Sequence, residues 1–296
     1  MNSDTRILGI DIGGTSVKMG VLDREAGLVD VRHIDMIAGR PELMADKIAQ
    51  FALTYNPDIV GVGTAGAVNH ETGLVSAGNL AWNDVPLRKM LSDRIGKPVW
   101  VDNDAKAAMM AEWHSGAMKG ARCAVCITLG TGLGGGLLID GKPWRGRDNT
   151  AFELGQIVTH GDAYLRSGGV EGRYEYYASG VGLSRMAGGR PAREVVEGAV
   201  AGDRKAREIF DWFVDELCMG IMTVIMLFRP EVIALGGGIS AAGEYLLIKV
   251  RDKVTDIHGG RSSSFRPEQI KLAIHGNNAG MIGAAALAKL YLLDEK

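Results

Sequence analysis

A strand–glycine turn–strand pattern occurs twice in this chain, and it restricts the possible folds more than any other feature. Residues 126–140 (CITLGTGLGGGLLID) align without a gap with residues 9–23 (GIDIGGTSVKMGVLD), which places Gly130 opposite Gly13. The apolar runs around each glycine cluster predict two β-hairpins of one design. Such a repeat indicates a duplicated architecture in which each half presents a turn of backbone N–H donors. Chance similarity between two glycine-rich hairpins is the alternative.

The elements around the hairpins are typical of an α/β protein. Residues 1–119 predict the order β-β-β-α-β-α, followed by a strand that leads into a helix. Helices are predicted at about residues 174–187, 191–198 and 203–228, whereas residues 141–173 have no clear pattern. A chain of 296 residues fits two domains better than one, and the repeat places the boundary near residue 120.

The glycine clusters also match two nucleotide-binding patterns that the context excludes. GTGLGG (residues 130–135) and GVGTAG (residues 61–66) satisfy G-x-G-x-x-G, but a strand and a loop follow them. A dinucleotide site needs a helix there, so an NAD-dependent oxidoreductase is disfavoured. GLLIDGK (residues 136–142) mimics a P-loop, but Pro143 stands where Ser or Thr would hold the metal. The hairpin turns themselves are therefore the predicted phosphate clamp.

Charge and composition exclude several classes of partner. The net charge of −2 and pI of about 6.3 provide no basic surplus for nucleic acid. The chain opens without a secretory signal pattern, and the apolar segment 217–228 is shorter than the roughly 20 residues that a membrane span needs. Three cysteines without a pairing pattern are typical of a reducing compartment. We expect a cytoplasmic protein with no membrane or nucleic-acid partner.

Three segments carry a resemblance to a known superfamily. DIGGTSVK, LGTGLGGG and ALGGGIS resemble, in this order, the phosphate-one, phosphate-two and adenosine segments of the actin-like ATPases. With GTAGAVNHETGLV, VDNDAKAAMMAEW, FELGQ and YEYYASG, the chain resembles the ROK family of sugar kinases and sugar-responsive repressors. The resemblance implies an α/β fold with two ribonuclease H-like domains around a cleft, residues 1–119 with the C-terminal helix 279–296 and residues 120–278. It also implies a homodimer.

The resemblance implies an ATP site built from the glycine segments. Asp11 would face the magnesium ion of MgATP through water, and Lys18 would reach the phosphates as a point charge. Ser16 stands where the family more often has a basic or amide residue. The other residues expected to hold ATP are Gly13, Gly14 and Thr15 in the first turn, Thr131, Gly132 and Gly134 in the second, and Gly236, Gly237 and Gly238 beside adenosine.

Asp104 lies where a predicted strand becomes a helix. One interpretation is a helix N-cap, for which Asp102, Asn103 and Asp104 are all suitable residue types. By the resemblance, Asp104 is the catalytic base that takes the proton from a sugar hydroxyl as the hydroxyl attacks the γ-phosphorus. Nothing in the sequence explains Lys106, which stands where relatives commonly have asparagine.

The resemblance also assigns a sugar site. Glu153 and Glu175 are similar to two carboxylates that bind ring hydroxyls, since one carboxylate accepts hydrogen bonds from two adjacent hydroxyls. Without the motifs around them, both would be interpreted as surface glutamates. The remaining residues expected to contact the sugar are Gly66, Asn79, Asn103 and Gln156.

The chain departs from the family at a structural zinc site. The positions of the family's one histidine and three cysteine ligands hold Gln156, Arg166, Gly168 and Arg173. None of these is a usual zinc ligand, so we expect no zinc. The loop at residues 156–173 must then be held by other contacts, and we expect Arg166 and Arg173 to pair with carboxylates.

The expected activity is ATP- and Mg²⁺-dependent phosphorylation of a hexose or hexose derivative at its 6-hydroxyl. Glucose is the first candidate, while fructose, mannose, allose, an N-acetylhexosamine or a β-glucoside fits the same residues. A sugar-binding regulator without catalysis is the second hypothesis. A DNA-binding repressor is disfavoured, because the first predicted strand begins by Arg6 and leaves no room for a helix-turn-helix before it.

Overall fold

The computed structural model describes residues 5–22, 28–259 and 265–294 and confirms the expected α/β class. Asp23, the last residue of the first aligned segment, lies outside the described residues. The strands are β1 (Ile7–Ile12), β2 (Ser16–Leu22), β3 (Leu28–Asp35), β4 (Ile59–Thr64), β5 (Ala67–Val68), β6 (Val75–Ala77), β7 (Trp82–Val85), β8 (Val99–Asn103), β9 (Ala124–Leu129), β10 (Leu133–Ile139), β11 (Lys142–Pro143), β12 (Val232–Gly236) and β13 (Ile270–Leu272). The α-helices are α1 (Pro41–Tyr55), α2 (Leu87–Ile95), α3 (Asp104–Ser115), α4 (Gly161–Arg166), α5 (Tyr174–Tyr177), α6 (Gly180–Met186), α7 (Ala192–Ala201), α8 (Arg204–Phe228), α9 (Glu244–His258) and α10 (Ala279–Lys289).

Contacts between Cα atoms divide the chain into two units. Unit 1 comprises Met1–Lys119, Pro143–Ala151 and Asn277–Lys296, and unit 2 comprises Gly120–Lys142 and Phe152–Gly276. Residues 143–151, 277 and 278 therefore lie in unit 1, whereas the sequence placed them in the second domain. The physical reason for the first of these differences is a set of side-chain hydrogen bonds to unit 1, described below.

The two large sheets share one topology. The sheet of unit 1 has the order β3-β2-β1-β4-β8. In it, β2 is antiparallel to both β1 and β3, β4 is parallel to β1, and β8 is parallel to β4. The other sheet has the order β11-β10-β9-β12-β13, with β9 antiparallel to β10 and parallel to β12. A third, small sheet contains β5, β6 and β7. The equivalent strand orders support duplication over chance similarity of the hairpins.

The repeated hairpins match in extent and differ in register. In the gap-free alignment, the ends of β9 and β10 coincide with those of β1 and β2. Ile12 pairs with Val17 in the first hairpin, whereas Leu129 pairs with Leu133 in the second. The turn of the second hairpin is therefore one residue tighter, which the alignment alone did not indicate.

Helix α10 packs against the sheet of unit 1 with almost no side chain between the backbones. A Cβ atom at Gly9 in β1 would overlap the Met281 carbonyl, and a Cβ at Gly61 in β4 would overlap that of Ala284. The alanine-rich helix and these glycines allow the close approach. This packing places the start of α10 beside the end of β1.

The interior of unit 2 is formed around α8, whose Leu217, Cys218 and Ile221 are buried. Two helices, α5 and α6, replace the single helix expected at residues 174–187. The break occurs because Ser179 is extended and its hydroxyl accepts a hydrogen bond from Gly182 N, which caps α6. No described helix is long and apolar enough to cross a membrane.

Candidate functional site

Asp11 and Lys18 form a cross-strand ion pair at the first hairpin. They are register partners in β1 and β2, with Oδ2 of Asp11 3.6 Å from Nζ of Lys18. Lys18 Nζ also donates to the carbonyl of Asn277, at 3.3 Å. Burial raises the pKa of Asp11, and the nearby Lys18 ammonium opposes this increase. A Cβ at Gly280 would overlap the Asp11 carboxyl, so Asp11 lies against the first turn of α10.

The first phosphate turn lies next to a predicted sugar residue. Gly13 N donates to the Ser16 carbonyl at 3.0 Å and closes the turn, while Gly14 and Thr15 are exposed. A Cβ at Gly14 would be 3.2 Å from Nδ2 of Asn79. The structure therefore brings Asn79 to this turn, as close as a glycine permits.

Asn103, rather than Asp104, caps α3. Its Oδ1 accepts from the backbone N–H groups of Ala105 and Lys106 at 3.0 and 3.3 Å, and its Nδ2 donates to the Gly66 carbonyl at 3.1 Å. Asp104 is the first residue of the helix, where its Oδ1 accepts from Ala105 N at 2.8 Å. The capping interpretation therefore applies to Asn103 and does not explain why an aspartate occupies position 104.

A buried polar network, which sequence reasoning missed, lies behind this strand–helix junction. The Asp102 side chain has no exposed surface, and its Oδ2 accepts from Arg145 Nη2 at 2.8 Å. Its Oδ1 accepts from Asn103 N at 2.9 Å and from Asn149 Nδ2 at 3.0 Å. Lys106 Nζ donates to the Asn149 carbonyl at 2.7 Å. These contacts bind residues 143–151 to unit 1 and give Lys106 a structural role.

Aromatic rings cover the outer side of the same network. The rings of Trp100 and Tyr291 stack at 4.4 Å, and the guanidinium of Arg145 lies 4.5 Å from the centroid of Tyr291. Burial lowers the pKa of His70, and Arg145 lowers it further. The lowered pKa favours a neutral His70, so the Arg145 guanidinium beside two aromatic rings is the direct cationic partner of the buried Asp102 carboxylate.

Unit 2 contains a cavity of about 790 Å³ that brings together the second phosphate segment and the adenosine segment. Gly130 and Thr131 line it with Gly238, two residues after the end of β12. Residues that the sequence did not single out also line it, among them Ser184, Arg185 and Arg193. The volume falls within the usual range for small-molecule sites.

The other predicted glycines support this cavity from outside its lining. Gly237 has φ +86°, and a Cβ there would be 2.6 Å from the backbone of Leu129. Gly236 is buried at the end of β12, and Gly134 pairs with Thr128 within the β-ladder. The start of α6 holds the turn, because Gly180 N donates to the Gly130 carbonyl at 2.8 Å and Val181 N to that of Thr131 at 3.1 Å.

The predicted sugar residues of unit 2 lie close together. Gln156 Nε2 donates to Glu175 Oε1 at 2.6 Å, and a Cβ at Gly132 would be 3.0 Å from Glu175 Oε2. Glu153 is exposed and directly precedes the 3-10 turn Leu154–Gln156. Within unit 2, residues predicted to bind the sugar therefore lie next to residues predicted to bind phosphate.

The loop at residues 156–173 is held differently from the expectation. Arg173 Nη1 donates to Oε1 of Gln156 at 2.8 Å instead of pairing with a carboxylate, and Arg166 is exposed at the end of α4. His160 stacks on Tyr177 with ring centroids 4.0 Å apart, and its Nε2 is 3.6 Å from Glu216 Oε1. Burial raises the pKa of Glu216, and His160 opposes the shift. Among the described residues, no three His, Cys, Asp or Glu side chains are grouped to hold a metal ion.

Known proteins resemble this chain along nearly its whole length. The family model described as ROK family matches residues 7–290. A glucokinase from Streptomyces coelicolor is 34% identical over 315 residues, covering 95% of this chain and 97% of the relative. A glucokinase from Thermotoga maritima is 31% identical over 310 residues, covering 96% and 97%. The crystal structure of a ROK family glucokinase from Streptomyces griseus in complex with glucose and AMPPNP aligns with a TM-score of 0.82 at 32% identity, covering 96% of this chain and 99% of that one.

Proposed function

The chain belongs to the ROK family, and on that basis we propose that it is an ATP-dependent sugar kinase, which transfers the γ-phosphoryl group of ATP to a hexose. Its α/β fold is of the actin-like ATPase type. The geometric observation that carries the proposal is the junction of β8 and α3, where Asn103 provides the cap and Asp104 opens the helix.

We propose the 6-hydroxyl as the acceptor and Asp104 as the base. The attacking hydroxyl must lose its proton, and a carboxylate at the reacting atom receives it as the O–P bond forms. Phosphoryl transfer depends mainly on positioning and charge neutralisation, so a weak base is sufficient. Asn103 would hold a neighbouring hydroxyl, with Glu153, Gln156 and Glu175 as further hydroxyl partners. Gly66 and Asn79 would complete the sugar pocket.

ATP would bind along the two hairpin turns and the end of β12. The cavity in unit 2 suits the nucleotide, and the backbone amides of its lining residues Gly130 and Thr131 lie in the second phosphate segment. The Asp11 carboxylate is a hard oxygen donor, and its side chain is 18% exposed, which fits a magnesium ion carried by ATP. When bound, that ion neutralises charge on the transferring phosphates. Lys18 would add a point charge at the first turn.

The proposal includes glucose as the first substrate to test, and a cytoplasmic homodimer. The other named hexoses remain candidates, because the same hydroxyl acceptors would serve them. We propose that no zinc is required, since guanidinium groups stand at two of the four positions and no cysteine or histidine stands at any of them.

The test is ADP release with MgATP against a panel of hexoses, N-acetylhexosamines and β-glucosides. Asp104→Asn should lower kcat by about 10²–10⁴-fold on the active sugar, because it removes general-base help. Binding of AMPPNP should be unchanged in that variant. Asp93→Asn, on the exposed side of α2, is the matched control and should keep wild-type kcat.

Two results would contradict the proposal. An Asp104→Asn enzyme with wild-type kcat would remove the assigned base. Sugar binding by calorimetry without turnover on any sugar would instead favour a non-catalytic sugar-binding regulator.

A further inference from the structure

Three side chains of unit 2 form a continuous hydrogen-bonded row. Arg173 Nη1 donates to Gln156 Oε1 at 2.8 Å, and Gln156 Nε2 donates to Glu175 Oε1 at 2.6 Å. We call this row the Arg173–Gln156–Glu175 relay. The amide can bridge a cation and an anion because it presents an acceptor to one and a donor to the other.

The backbone fixes the two segments that carry the relay. Tyr174 N donates to the Ile157 carbonyl at 2.8 Å, and Val158 and Arg173 form an isolated antiparallel bridge. Gln156 and Arg173 therefore extend from chain segments that are already tied together. The side-chain contact needs little further ordering, which favours its formation.

Glycines confine the remaining side of Glu175. A Cβ at Gly155 would be 3.1 Å from the Cβ of Glu175, and a Cβ at Gly132 would be 3.0 Å from its Oε2. The glutamate thus fits between the 3-10 turn and the second phosphate turn. With its stem confined there, the contact to Gln156 determines how the carboxylate is rotated.

The relay occupies positions where a metal would otherwise be expected. Of the four positions that the family resemblance assigns to zinc ligands, Gln156 and Arg173 contact each other. A guanidinium has five N–H donors and no acceptor, so it cannot ligate a metal. The residues present do not fit zinc.

We propose that the Arg173–Gln156–Glu175 relay, without a metal, orients Glu175 to accept hydroxyl groups of the sugar and so determines which hexoses bind. This inference rests on the proposed function. Oε1 of Glu175 is anchored by the amide, which leaves Oε2, beside the phosphate turn, as the acceptor for a neutral sugar hydroxyl. The Arg173 cation balances the anion at the other end of the row. Arg173 is a positioning residue, which acts on the sugar through Gln156 and Glu175. Gln156 combines the positioning of Glu175 with the direct hydroxyl contact proposed above, since its amide carries a second N–H donor.

The test compares Arg173→Met and Gln156→Leu with Arg166→Met, which removes an exposed guanidinium from the same loop. For D-glucose, KM should rise about tenfold to a hundredfold in the first two variants, as expected for loss of a hydrogen bond to a charged group. The preference for D-glucose over its C2 epimer D-mannose should fall in the same two variants. KM for ATP should stay at its wild-type value, and Arg166→Met should match the wild type throughout. The Arg173→Met/Gln156→Leu double variant should be no worse than Gln156→Leu alone, because Arg173 acts only through Gln156.

The readouts separate failure of the relay from failure of the proposed function. If the wild type phosphorylates no hexose, the proposed function fails, and calorimetry with D-glucose and D-mannose then tests the same shifts in sugar affinity. Unchanged sugar affinity in both relay variants would overturn the inference, as would the absence of sugar binding to the wild type. One equivalent of zinc in protein purified without chelator, measured by elemental analysis, would also overturn it.

Discussion

The buried pair of Asp102 and Arg145 allows a quantitative prediction for Arg145→Met. The substitution preserves most of the side-chain length and leaves the Asp102 carboxylate, with no exposed surface, without its cation. Removing one partner of a buried pair typically costs about 3–5 kcal/mol. Asp102 still accepts hydrogen bonds from Asn103 N, Asn149 Nδ2 and Trp100 Nε1. The free-energy cost of leaving this carboxylate without Arg145 should therefore lie near the lower end of that range. Loss of the guanidinium from the Tyr291 ring adds about 0.5–2 kcal/mol. We expect unit 1 to lose about 4 kcal/mol in total.

Urea unfolding followed by tryptophan fluorescence measures this loss as a lower midpoint. Asp102→Asn combined with Arg145→Met should be less destabilised than the sum of the single variants, because Asp102→Asn removes the buried carboxylate that Arg145→Met leaves without its guanidinium. Arg147→Met is the matched control from the same segment, since Arg147 is 93% exposed, and its midpoint should not change. The kcat of Arg145→Met should also fall, because Asp102 holds the backbone of Asn103 beside the proposed base. A free energy of unfolding within about 1 kcal/mol of the wild-type value, or strict additivity in the double variant, would contradict this prediction.

Two further substitutions test the phosphate segments. The pKa of Asp11 is raised from 3.8 by burial, so the folded state binds its proton more tightly than the unfolded chain and the ionised carboxylate costs stability above the folded-state pKa. Asp11→Asn should therefore raise the urea midpoint at pH 7 while lowering kinase activity. The gain in stability should shrink as the pH falls toward 3.8, and a lower midpoint at pH 7 would contradict this prediction. Gly237→Ala should weaken AMPPNP binding and cost about 1–3 kcal/mol of stability, because position 237 has φ +86° and its Cβ would overlap Leu129. Gly188→Ala, at φ +69° in open space, is the control for the dihedral alone, and equal losses in both variants would show that the overlap with Leu129 has no effect.

Short-range patterns were sufficient to predict the framework of the fold. The paired hairpins follow from alternating apolar residues and glycine turns, and the aligned segments coincide with β1, β2, β9 and β10. The break between α5 and α6 was missed, although the Ser179 cap on Gly182 is a local signal. The contact of Gly180 N with the distant Gly130 carbonyl is not visible in a local helical pattern.

In the candidate site, too, local patterns could be predicted from the sequence and long-range contacts could not. Asn103 and Asp104 were singled out because a strand-to-helix junction is visible in sequence, although the hydrogen bonds were needed to show that Asn103 is the cap. Lys106 could not be interpreted, since its partner Asn149 is distant in the chain and offers a backbone carbonyl. Arg173 was expected to pair with a carboxylate because its positive charge is visible in the sequence. Its observed partner is the amide oxygen of Gln156. Long-range partners of polar side chains were the information that sequence lacked.

The proposed kinase activity is tested by identifying the product that the wild-type protein forms from MgATP and D-glucose, with 31P NMR and an enzyme specific for glucose 6-phosphate. We expect one glucose 6-phosphate for each ADP released, with no ADP formed when sugar is omitted. ADP release that is independent of any sugar in the panel, or phosphate transferred to no hexose hydroxyl, would contradict it.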